Sequence, residues 1–403
     1  MMSKSKLFIA ALLSTAIGLS SCHDDHDHNH PKKEHEEENS FVRVLVSDME
    51  SNAITLINPH KGEVQGFTAQ FPGNSLYATT SGRYAAVMNT ANNYVQFFDS
   101  GIEVHEDHAH LKGTPKWAKT TATAPKPTHF YASGNHIAIF NDGDGSLSLA
   151  SEGTLHTAES ADHVVVGEKH HGAVVRFDNG TFAVTEKDGS VAGALPERVK
   201  IIDRNGNLVS ASTVATRGIH GDAGDGKLAL FGSASGILKV NENGTQRLIS
   251  YPESFGANWL GAIHYGRSAG TFIGYKREMG VYFIDVAQNS IKPVIESTTL
   301  VSAGFDAAGK DILVLMNDGK VVIFDGKSGA KKAERVLPLT IPADKKYPTL
   351  TATKNFVYVT VAERGEVLML KRENLSDFGK YKVSGKPGKL VILGGDVNGE
   401  HNH

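Results

Sequence analysis

From Arg43 onward the chain reads as short apolar runs separated by turns rich in Gly, Asp and Asn. Arg43-Val44-Leu45-Val46, Ala53-Ile54-Thr55-Leu56-Ile57 and Lys320-Val321-Val322-Ile323-Phe324 are three such runs. No stretch keeps the 3.6-residue period of a long amphipathic helix. Asn317-Asp318-Gly319, Asp144-Gly145 and Lys187-Asp188-Gly189 are hairpin signals, because Asp-Gly accepts the left-handed backbone of a tight turn. Regular short strands of this kind predict an all-β propeller, sandwich or barrel.

A repeat selects the propeller. Its frame is a lead residue, a turn with glycine, and a β run whose reference residue lies eleven positions on. It fits Tyr77 to Met88, His129 to Phe140, His220 to Phe231, His264 to Tyr275, Ser302 to Leu313 and, more loosely, Leu350 to Val361. After His171 the turn is longer, through Asp178-Asn179-Gly180. Successive leads stand 38 to 52 residues apart, which suits a four-stranded blade of about 40–50 residues. Seven leads are visible. About three strands precede Tyr77, and one, Lys389-Leu390-Val391-Ile392-Leu393, follows Gly385. Pairing the two chain ends would complete an eighth blade and remove open sheet edges. The expectation is a single propeller over residues 41–398 with about eight four-stranded blades, seven being the alternative.

The N-terminus is of another kind. Lys4 and Lys6 precede an apolar stretch from Leu7 to Leu19, the length of a signal-peptide core and too short to span a bilayer. It ends in Leu19-Ser20-Ser21-Cys22, which looks like a lipobox. Cys22 is the one cysteine in 403 residues, so it has no disulfide partner within the chain. Residues 1–22 therefore read as a lipoprotein-type signal, with an ordinary secretory signal as the alternative. This predicts a periplasmic protein attached to a membrane only by a lipid on Cys22; His23 in place of aspartate favours the outer membrane. Next come four histidines and three aspartates in residues 23–30, then a charged run from Lys32 to Glu38. Such a tract buries no apolar surface, so residues 23–40 are expected to be a disordered tether. Its His23, His26, His28 and His30 make a secondary metal-binding tract, or else a merely solvated linker. A net charge of −3 without a basic stripe speaks against nucleic acid as a partner.

The histidines carry the candidate chemistry. In a propeller, equivalent positions of the inner strands converge at one mouth. Four leads are histidine (His129, His171, His220 and His264), and His170 adjoins one of them. A loop adds His105-Glu106-Asp107-His108-Ala109-His110. On an extended segment His108 and His110 point the same way. The two of them with ring histidines would complete a tetrahedral zinc site with Zn–N distances of about 2.0–2.1 Å. His108, His110, His129, His171 and His220 are the first candidates, and His105, His170 and His264 the second. Asp107 or Asp222 would serve as an oxygen ligand or accept an imidazole N–H. The alternatives are solvated loop histidines and hydrogen-bonded structural ones; His60, His136, His156 and His163 read as turn or surface residues. With one cysteine and seven scattered methionines, soft Cu(I) is disfavoured and Zn(II) is the best fit, nickel and Cu(II) staying open. No carboxylate pair or nucleophile motif is visible, and Asn141-Asp142-Gly143-Asp144-Gly145 lacks the length and closing glutamate of a calcium loop. The expectation is not an enzyme; a propeller enzyme with a catalytic metal and a protein-binding scaffold are the competing readings.

Several motifs occur in a specific order: Glu106-Asp107-His108-Ala109-His110, Pro127-Thr128-His129, Phe140-Asn141-Asp142-Gly143-Asp144-Gly145, His170-His171-Gly172 and Ile219-His220-Gly221-Asp222. Together they resemble the AztD family of periplasmic zinc metallochaperones, over about Arg43 to Asp396. The resemblance implies a propeller with a high-affinity Zn(II) site, and the protein is expected to be a monomer. It also implies direct handover to the solute-binding protein of a zinc ABC importer. The lipobox is a departure from it. Because transfer needs ligands that detach one by one, residues 103–113 are expected to be the mobile part of the site.

Overall fold

The computed structural model describes residues 37–105, 108–344, 348–383 and 385–395. The signal segment, Cys22, the tract with His23, His26, His28 and His30, and Asp107 lie outside these residues. Among the described residues no helix is long and apolar enough to cross a membrane.

The strands form eight four-stranded antiparallel sheets, the blades of a propeller, and one small two-stranded sheet. Blade 1 joins the two ends of the chain. Its strands Val42–Asp48, Ala53–Asn58 and Glu63–Thr68 are completed by Pro387–Gly394. The closing register pairs Val42 with Gly394, Val44 with Ile392 and Val46 with Leu390. The eighth blade and its closure therefore form as the sequence predicts. Blades 2 to 8 begin with Ser75–Ala78, Pro127–Ser133, Val174–Arg176, Ile219–Gly224, Ala262–Gly266, Leu300–Phe305 and Leu350–Ala352. Most of these first strands contact the first strand of a neighbouring blade, as does Pro387–Gly394 in blade 1, so they are the inner strands.

The core lies in the seams between blades. Leu45, Ile54, Leu76, Val87 and Phe98 fill the seam of blades 1 and 2, and Val44, Tyr358, Met369 and Leu390 that of blades 8 and 1. A middle strand is covered on both faces, which is why Asp311–Met316 and Phe356–Val361 are apolar at all but one position each and are buried throughout. Each fully buried side chain of this kind contributes about 1.5–3 kcal/mol. Outer strands such as Glu63–Thr68 and Asp377–Lys382 are mostly exposed, and their charged residues discourage edge pairing with other chains.

Two expectations are corrected by the backbone. The eleven-residue frame matches the pairing only at His129, which faces Phe140. Tyr77 pairs with Ala86, His264 with Ile273 and Ser302 with Leu315, while His171 stands ahead of its strand. The leads are thus not equivalent positions, because bulges and turns of unequal length shift them. Lys187-Asp188-Gly189 does not form a tight turn; it opens a longer loop, residues 187–197, that joins the antiparallel pair Phe182–Glu186 and Arg198–Ile202.

Inner strands all run from one face, called upper, to the other, called lower. The turns leading into them lie on the upper face. The small sheet, Ile102–His105 with His108–Leu111, follows the third strand of blade 2, Tyr94–Asp99, and so lies on the lower face.

Candidate metal centre

Two inner strands and the segment leading into a third bring His129, His220 and His171 together at the upper face. One possible ligand atom from each lies within 4.8 Å of the others. Ring centroids are 5.1 Å apart for His129 and His171, 5.1 Å for His171 and His220, and 5.6 Å for His129 and His220.

Local backbone irregularities aim these rings. The blade 3 register slips between Pro127 and His129, which puts Thr128 in a bulge. The blade 5 register slips between Ile219 and Asp222, which puts His220 and Gly221 in another. A bulge turns a side chain out of the regular alternation. Gly221 has φ +78°, and a Cβ there would stand 2.4 Å from the Gly261 oxygen. Gly172, after His171, is pressed on the Phe140 ring, where a Cβ would come within 2.3 Å. Both glycines are required by these close approaches.

Each imidazole is held from another blade through Nδ1. His171 Nδ1 donates to Asp142 Oδ2 at 2.6 Å, and His129 Nδ1 to Asp222 Oδ1 at 3.3 Å. His220 Nδ1 donates to the Gly261 carbonyl at 2.6 Å. A neutral imidazole protonated on Nδ1 carries its lone pair on Nε2. The three supports therefore select the tautomer in which Nε2 is the ligand atom, the arrangement typical of metal-binding histidines. Asp142 is itself fixed by Thr128 Oγ1 at 2.5 Å and by the Gly172 amide at 3.3 Å. Burial alone would raise the Asp142 carboxyl, but the bonds from His171 and Thr128 outweigh it and hold the group below the ordinary carboxylate value. Burial would likewise lower His129, yet the bond to Asp222 and the charges of Asp222 and Asp142 raise it. His220 is lowered, first by the partial enclosure of its ring and then by the two other imidazoles.

The loop of residues 187–197 braces the same site. Its Ala194 carbonyl accepts from the His171 amide at 3.0 Å, and its Pro196 carbonyl from the Ile219 amide at 2.7 Å. At its base, fully buried Glu197 takes Lys187 Nζ at 2.6 Å and the amides of Asp188 and Val191.

Three nitrogens with an open fourth position match a tetrahedral zinc site. Zn–N bonds of about 2.0–2.1 Å put ligand nitrogens roughly 3.3 Å apart, so small side-chain rotations close the trio on an ion. Among the described residues this is the one group of three or more His, Cys, Asp or Glu that meets in this way.

The other sequence candidates fall elsewhere. His108 and His110 do share a side, with rings 4.9 Å apart. Ile102 and Ala109 of their hairpin pack on Phe41 at the lower face, and an inner strand such as Pro127–Ser133, seven residues long, spans roughly 20 Å. The combined loop-and-ring site expected from the sequence is therefore not formed. The backbone of His105 faces His108 across the hairpin; its side chain is outside the described set. His170 is structural: Nδ1 donates to the Glu168 carbonyl at 2.7 Å, Nε2 accepts from Thr185 Oγ1 at 2.9 Å, and Phe140 covers the ring. His264 sits midway along its strand, stacked on Tyr275, with Nε2 buried and lacking a hydrogen-bond partner. Asp222 takes the acceptor role rather than the ligand role. Sequence reading missed Asp142, Thr128, Gly261 and the Lys187–Glu197 pair. Asp142, Thr128 and Lys187 stand inside motifs the sequence shows, but as turn or family signals rather than as supports of the site.

No family model matches the chain. It is 24% identical over 377 residues, 89% of each chain, to the zinc chaperone AztD of Citrobacter koseri. Two structures of Citrobacter koseri AztD, one of them the apo form, superpose with TM-scores of 0.81 at 23% identity, covering 90% of this chain and all of theirs. A more distant likeness of fold is to the dihydro-heme d1 dehydrogenase NirN, with a TM-score of 0.57 at 14% identity over 88% of this chain and 76% of that one. The resemblance to the AztD family drawn from the sequence is borne out, together with the eight-bladed fold.

Proposed function

From a likeness to the zinc chaperone AztD that spans 89% of the chain, we propose that this protein is itself a zinc chaperone. It holds Zn(II) on Nε2 of His129, His171 and His220, with Asp222, Asp142 and the Gly261 carbonyl behind the rings. The fourth position stays open to a ligand from a partner, the solute-binding protein of a zinc ABC importer. The protein acts as a periplasmic monomer, carried on a lipid at Cys22, and has no enzymatic role. His108 and His110 make a separate metal-collecting site on the lower face; His23, His26, His28 and His30 collect metal as well. The observation that carries this reading is that all three imidazoles spend Nδ1 on hydrogen bonds and converge.

Handover is tested by mixing zinc-loaded protein with the apo solute-binding protein in the presence of a chelator that intercepts free zinc. The expected result is zinc on the solute-binding protein despite the chelator. Zinc found only on the chelator would contradict the chaperone role.

A further inference from the structure

The three imidazoles are not held alike. His129 and His171 are backed by carboxylates, and their side chains keep only 20% and 29% of their surface exposed. An anionic acceptor strengthens its hold on the N–H and makes the imidazole a better donor to a metal. His220 is the exposed member of the trio. Its Nδ1 donates to a neutral carbonyl, that of Gly261, which orients the ring without adding charge. It also stands in a bulge between Gly218 and Gly221, both at positive φ, whereas the acceptor behind His171 is fixed by Thr128 and the Gly172 amide.

From this asymmetry we infer that His220 is the exchange ligand: it leaves first when zinc is passed on, while His129 and His171 retain the ion. The inference rests on the zinc-site reading above. The exchange balances simply. An incoming nitrogen or oxygen lone pair fills the open fourth position, and the Zn–Nε2 bond of His220 breaks with its electron pair returning to the imidazole. Zinc keeps its charge, and no proton need move when the incoming ligand is a neutral imidazole. The hydrogen bond to Gly261 keeps the released ring beside the site, so the step is reversible until a second partner ligand arrives. A partner consequently approaches over blades 5 and 6, where His220 and Gly261 meet.

The test is nitrogen-detected NMR of the zinc-loaded full chain with labelled histidine rings, titrated with free imidazole. Before titration all three Nε2 signals stand at metal-bound shifts. As imidazole is added, the His220 Nε2 signal is expected to lose its bound shift first, with His129 and His171 unchanged. In His220→Ala, zinc release to a chelator should be faster and no longer depend on imidazole concentration. Loss of His129 or His171 first, or of all three in a single step, would overturn the order. Zinc that moves none of the three signals would overturn both this inference and the zinc site itself.

Discussion

Asp142 gathers three donors, the His171 ring, the Thr128 hydroxyl and the Gly172 amide, and so fixes both the tautomer and the angle of one ligand. Asp142→Asn keeps the shape but presents a weaker acceptor. Zinc affinity is expected to fall about 10–100-fold with little change in melting temperature, as chelator competition and thermal unfolding would show. The pH dependence belongs to this scale too. Metal ligands must be deprotonated. His129 is raised above the ordinary histidine value, through Asp222 and Asp142 acting against burial, so on acidification it takes a proton before an ordinary histidine does. Zinc affinity should begin to weaken above the usual histidine range, and Asp222→Asn should move that onset to lower pH; an unmoved onset would refute the assignment. The ligand histidines were legible because each stands beside a strand start. Of their supports Asp222 was legible as an acceptor; Asp142 and Gly261 were not, because they reach the rings from other blades, and nothing in a turn motif or a glycine announces a contact made through the fold.

At the level of strands and turns, the bulges at Thr128 and at His220-Gly221 separate the pattern read in the sequence from the pairing that forms. Repeat spacing and turn chemistry located the two innermost strands of most blades, and the closure of Val42–Asp48 on Pro387–Gly394 followed from counting strands at the two ends. A one-residue slip leaves no mark in apolar periodicity, so the leads looked more alike than they are. Turns between blades also carry a polar network. Asp99, buried at the end of Tyr94–Asp99, takes Arg83 Nε at 3.0 Å and Nη2 at 2.9 Å, and His156 Nε2 at 2.7 Å. Burial would raise its carboxyl, but these partners outweigh that and lower it. A depressed carboxylate stabilises the fold above its unfolded pKa, and that contribution is lost as pH falls through the folded value. Asp99→Asn should therefore cost about 3 kcal/mol near neutral pH, and the difference from the unmodified chain should shrink in acid. Urea unfolding at both pH values measures this, and an equal loss at both would count against it.

Across the whole molecule, the trio ties four blades together. His129 of blade 3 leans on Asp222 of blade 5, His171 of blade 4 on Asp142 of blade 3, and His220 of blade 5 on Gly261 ahead of blade 6. An ion at their centre is bound only when these blades are assembled, so it should stabilise the fold by about 2.7 kcal/mol at a free zinc level 100 times Kd. The rise in melting temperature should vanish in His171→Ala. The fold class and the closing of the ring were legible in the chain because they are written in local patterns. The separation of His108 and His110 from the trio was not, since it depends on which face a loop leaves from. The most direct test of the central claim is the zinc stoichiometry and affinity of protein lacking residues 23–36, measured against a competing chelator. Glu38 is retained because its carboxylate is buried against Thr353 and Tyr358, so the tether expected to run to residue 40 ends earlier. One tight equivalent, lost in His129→Ala, His171→Ala or His220→Ala and kept in the His108→Ala, His110→Ala double variant, is the predicted result. Tight zinc binding that disappears with residues 23–36, or that survives loss of the trio, would contradict it.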